Sequence, residues 1–210
     1  MANRRPDAAL LNRAAGALLG SAIGARLGEG SATEWIDLTA TTLGHLGDPA
    51  GLVAATPGEA GVTMWLQAIR HTVLTGELDA RIGLNGLNGN ARERWSTLLA
   101  RAEREPASSF ADEGVVDALQ AAWSAIMHTE VLPYDAERHL ADTLEICEPL
   151  GATVSAIAGA LLGACHGVAA VPAEWAAQVP DADALVARAR ELAEASWAPN
   201  PDDELFDLPE

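Results

Sequence analysis

The chain has 210 residues, 49% of them apolar, and sets 13 basic against 30 acidic side chains for a net charge of −17. That is enough apolar material for one domain around one core, and the charge opposes nucleic acid and anionic membrane surfaces as partners. All 13 cations are arginine and lysine is absent, which excludes Schiff-base chemistry, a Ser-Lys dyad and a phosphate-loop lysine.

Apolar residues recur at helical spacing through most of the chain, and no alternating β-branched run marks a strand. The fold class expected is therefore all-α, a single-domain multi-helix bundle over 1–197. The first helix, 7–28, carries Gly16, Gly20, Gly24 and Gly28 at every fourth position. Helices at 34–44 and 59–76 follow. The stretch 83–89 reads as a tight loop whose glycine spacing does not match a dinucleotide fingerprint. Further helices are expected at 90–105, 112–130 and 134–147. On the last of these, His139, Asp142 and Glu145 share a face at three-residue spacing, and a solvated acidic face is preferred to a metal site.

The run 151–168 repeats the small-residue pattern with Gly159, Gly163 and Gly167. With its flanks it is long enough to consider as a membrane span. Its apolarity is mostly Ala and Gly, and no basic cluster flanks it, so a buried central helix is expected and no membrane association. Each interior glycine costs about 1 kcal/mol of helix propensity relative to Ala, so both stripes require another backbone packed closely against them. A helix at 182–196 precedes a segment, 198–210, with five acids, three prolines and no base, read as a disordered acidic tail. Cys147 and Cys165 match no zinc or redox spacing and no apolar leader opens the chain. A reduced, cytoplasmic protein with two buried, inert thiols is expected.

Several of these segments resemble a known family, the ADP-ribosylglycohydrolases. The stretch 13–28 resembles the family's opening motif. The stretch 153–167, followed by Val171-Pro172-Ala173-Glu174-Trp175, is similar to its closing motif, and 113–123 resembles the helix before its last metal motif. The resemblance implies an all-helical enzyme with a binuclear magnesium centre. The departures fall on the metal ligands. Where the family has Asp-Asp-Thr, this chain reads Gly61-Val62-Thr63; where it has Gly-Asp-x-Asp-Thr, the chain reads Leu150-Gly151-Ala152-Thr153 after Pro149. The family's acid beyond the first helix falls near Ala32, its earlier Gly-Asp is Gly24-Ala25, and only Glu29 and Glu34 lie nearby as substitutes. The span between Thr63 and Gly114 is also shorter than its family counterpart, so the helices that help to hold ADP-ribose are expected to be missing.

Magnesium requires hard oxygen ligands, usually carboxylates. Gly61, Val62, Leu150 and Ala152 supply none, so neither metal nor other cofactor is expected. The sequence reading is a non-catalytic binding or regulatory module, with a homo-oligomer or a protein partner compensating for the shortened middle. The alternatives are a remodelled, metal-independent enzyme of secondary metabolism, with Glu29 or Glu34 as its acid, and a nucleotide or ADP-ribose binder without turnover. The six tryptophans read first as core and second as stacking surface. The residues expected to line the old cleft are Thr63, Trp65, Thr153 and Ser155, with Trp65 the first candidate to stack on a ligand.

Overall fold

A computed structural model of the chain describes residues 6–28, 32–56, 58–110, 114–130 and 135–197. Among these residues the regular structure is helical throughout: α1 (Ala8–Leu27), α2 (Thr33–Gly44), α3 (Pro49–Ala55), α4 (Ala60–Thr75), α5 (Gly89–Ala102), α6 (Val115–His128), α7 (Ala136–Cys147), α8 (Ala152–His166), α9 (Ala173–Ala176) and α10 (Ala182–Ala195). The expected all-α bundle is what forms. The expected loop at 83–89 does not: Ala80–Gly86 winds into a 3₁₀ helix and Gly89 opens α5. Asp79 caps the first of these through its carboxylate and Asn88 caps the second, so turn-forming residues act here as helix starts. Helix α3 was not expected, although Asp48, which accepts from the Gly51 amide, and Pro49 at the first helical position form a readable start signal.

At the centre lie α1 and α8, antiparallel and in backbone contact. The two glycine stripes face each other, with Gly16 against Gly163 and Gly167, Gly20 against Gly159, Gly24 against Ser155 and Gly28 against Ala152. A β-carbon at any of these four α1 glycines would come closer than 3.0 Å to backbone atoms of α8 or its flanking residues. This meets the expectation that the stripes are buried, and each helix supplies the close partner that the other needs. Both helices are buried on nearly every side, as expected of central elements rather than amphipathic ones. Helix α1 is long and apolar enough to cross a membrane by length and hydropathy; here it is the inner helix of the bundle.

The remaining helices surround this pair. Helices α2, α4 and α10 pack on α1, while α4, α6 and α7 pack on α8. Gly76, in the left-handed region at φ 80°, ends α4, and Arg13 of α1 donates to the free carbonyls of Val73 (2.7 Å) and Leu74 (3.2 Å) at that end. On the far side Arg81 donates two hydrogen bonds to the Glu103 carboxylate (2.8 and 2.6 Å), which also accepts from Trp123 Nε1 at 3.2 Å. This ties the 3₁₀ segment and the end of α5 to α6.

Candidate functional site

The positions that the resemblance assigns to metal ligands fall on two helix starts. The start of α4 carries Glu59, whose side chain makes no capping bond, then Ala60, Gly61, Val62 and Thr63. Gly61 lies under the indole of Trp95 from α5. A β-carbon at 61 would sit 2.7 Å from Cη2 and 2.9 Å from Cε2 of that ring. Val62 is buried and Thr63 half-buried. A cavity of about 330 Å³ beside them is bounded by Glu59, Arg94, Trp95, Val115 and Val116.

The start of α8 is built differently. Gly151 adopts φ 100°, a conformation that side chains disfavour, and turns the chain from the short Glu148–Leu150 helix into α8. Leu150 and Thr153 are half-buried, and Ala152 is covered by Gly28 at the end of α1. A second cavity, of about 420 Å³, is lined by Leu27, Gly28, Glu148, Pro149 and Gly151.

The sequence candidates divide on this frame. Thr63 and Thr153 keep partial exposure. Ser155 does not belong in a cleft: it is fully buried beneath Gly24, and its hydroxyl donates to the Gly151 carbonyl at 3.1 Å. Trp65 is likewise a correction to the stacking role, though not to the core reading. It is 0% exposed and meets Trp123 edge-on at 6.5 Å between ring centroids, so no ring face is open to a ligand. Its neighbour in sequence gave the wrong cue, because residues 63 and 65 do not share a helical face. Glu34 is exposed in the first turn of α2, and Glu145 and Glu148 are exposed as well. The described acids therefore form no buried catalytic cluster. Glu29 lies outside the described residues.

Magnesium does not fit the donor set at these two helix starts. Gly61, Val62, Leu150 and Ala152 offer no side-chain oxygen, and two threonine hydroxyls cannot neutralise two divalent ions. Among the described residues no group of three or more His, Cys, Asp and Glu side chains converges as a metal site.

One polar contact escaped sequence reasoning. His139 is not on a solvated face: it is 2% exposed, and its Nδ1 shares a hydrogen bond of 2.9 Å with Nε2 of His166 at the end of α8. Burial lowers the His139 pKa, against the smaller opposing effects of the Ile126 backbone and Asp142. His166 is pushed down to about 4, first by burial and then by His139. Both rings are therefore neutral near pH 7, one donating and the other accepting. Asp142 turns outward to Arg138. No local signal joins two histidines on different helices. Of the two thiols expected to be buried, Cys147 is, and burial pushes it up to about 12; Cys165 is only half-buried, its thiol raised by burial and its Sγ donating to the Gly76 carbonyl.

A family model described as ADP-ribosylglycohydrolase matches residues 37–202, which includes every helix from α3 to α10 and most of α2. Comparison with curated proteins and with solved structures gave no match. The opening glycine stripe of α1 lies before the matched segment, so its place in the fold rests on its contact with α8.

Proposed function

The chain belongs to the ADP-ribosylglycohydrolase family, and from that premise we propose that it keeps the helical frame but has given up metal-dependent hydrolysis, acting as a non-catalytic binding or regulatory module. The observation that carries this reading is the pair of helix starts. Where the resemblance implies four carboxylates, α4 presents Gly61 and Val62 and α8 is preceded and opened by Leu150 and Ala152. In the family, as the resemblance implies, the metals orient the ribose and activate the attacking water. Losing the ligands removes both the template and the nucleophile. Thr63 and Thr153 can hold a water but cannot lower its pKa.

A protein partner or a second copy of the chain is the proposed target of the module. Val53, Met127 and Ile146 support this as large apolar side chains left exposed. The two free thiols support a reducing, cytoplasmic setting.

The test is release of ADP-ribose from peptides modified on Arg or Ser, with and without magnesium, together with calorimetry for magnesium and for ADP-ribose. No release and no heat from the metal are expected. Turnover abolished by a chelator would remove the pseudoenzyme reading. Turnover indifferent to a chelator would favour a remodelled enzyme, and saturable ADP-ribose binding without turnover would favour the binder.

A further inference from the structure

The start of α4 has not merely lost its carboxylates; a neighbouring side chain fills the space. Resting on the non-catalytic reading above, we infer that Trp95 is a built-in plug, which closes the α4 end of the family's metal site by volume and would exclude a cation even if charge were restored there.

The geometry is specific. Three atoms of the indole, Cζ2, Cη2 and Cε2, occupy the space into which any side chain at 61 would project, and all three lie closer than 3.0 Å to an ideal β-carbon there. Trp95 is 4% exposed, so the ring is held within the bundle rather than lying loosely over it. Gly61 and Val62 are buried with it. A carboxylate at 61 would need its own volume, that of the metal, and that of the metal's remaining water ligands, since magnesium dehydrates reluctantly. The adjoining cavity beside Val115 and Val116 offers the ring one way out, at the cost of pulling a large apolar surface out of the core. Glycine at 61 and tryptophan at 95 are thus two halves of one arrangement: the first allows the second to seat.

A double-mutant cycle in urea tests this, using wild type, Gly61→Ala, Trp95→Phe and the pair. Phenylalanine keeps an apolar ring in the core but does not reach as far as the outer atoms of the indole. In the wild-type background Gly61→Ala is expected to raise the unfolding constant by at least ~5-fold, as overpacking does. In the Trp95→Phe background the same change is expected to be neutral or stabilising, because Ala is the better helix former. That reversal of sign supports the plug; an equal penalty in both backgrounds overturns it. Should Trp95→Phe fail to fold, Trp95→Leu serves as the second background, with the same expectation. Titration of the wild-type chain with Mn²⁺, followed by the paramagnetic resonance of free ion, separates the two levels. Saturable binding that Thr63→Val abolishes overturns the plug and the non-catalytic reading together, whereas no such site combined with an additive cycle overturns the plug alone.

Discussion

Gly163→Ala introduces the smallest side chain into the α1–α8 contact. A β-carbon at 163 would lie 2.5 Å from the carbonyl carbon of Gly16 and 3.1 Å from the amide nitrogen of Ala17, with the Gly16 carbonyl oxygen closer still. These are backbone atoms of a buried helix, so none can rotate aside. Ordinary contact near ~3.5 Å is regained only if the helices separate by about 1 Å, and a gap of that size forfeits roughly a quarter to a half of each dispersion contact across the seam. The residues that the added β-carbon meets, Gly16 and Ala17, are buried within α1, so the lost contacts are not replaced by water. Against this stands a gain of about 1 kcal/mol in helix propensity. Overpacking typically costs ~1–3 kcal/mol, and rigid backbone partners put this site at or above the upper end. The expected net loss is about 2 kcal/mol, or a fall in Tm of roughly 4–8 °C for a chain of this size. Thermal melts of wild type, Gly163→Ala and Gly89→Ala provide the assay. At Gly89 an added β-carbon meets nothing within 4 Å, so that variant should melt no lower than wild type. A Gly163→Ala protein that melts as high as wild type would refute the backbone-contact argument.

Acid should weaken the fold through the histidine pair. His166 lies at about 4 against an ordinary 6.5, so the unfolded chain takes up the proton first. Stability is complete above the ordinary value and falls between it and the folded value, by up to about 3 kcal/mol. His166→Gln should flatten that part of the urea midpoint's pH profile, and superimposable profiles would contradict the assignment. A thiol reagent near pH ~8 should leave Cys147 unmodified in the native protein and react with it only after unfolding; rapid native labelling would show that its burial is wrong. Glu103→Ala removes the acceptor shared by Arg81 and Trp123. With the ion pair partly exposed, a loss of about 1–2 kcal/mol is expected, read as a lower urea midpoint; no shift would mean that the clasp is idle. Light scattering at high protein concentration should detect a dimer or larger species, and a strictly monomeric chain would leave the self-association proposal without support.

What the sequence determined by itself is local or compositional. Helical periodicity and start and stop residues act over three or four positions, and they located α1, α2, α4, α5, α6, α7, α8 and α10 with small differences at their ends. The glycine stripes told that something must lie against each helix, because their propensity cost is paid within the helix that bears them. The absence of carboxylates at Gly61, Val62, Leu150 and Ala152 is equally a fact of the sequence. Only the tertiary structure decided which surfaces meet. That the two stripes pair with each other, that Trp95 seats on Gly61, that Trp65 and Ser155 are sealed in the core, and that His139 meets His166 all depend on how helices distant in sequence rotate and translate against one another. Periodicity fixes which face of a helix is apolar; it does not fix the partner, which is selected by the fit of volumes across the whole bundle.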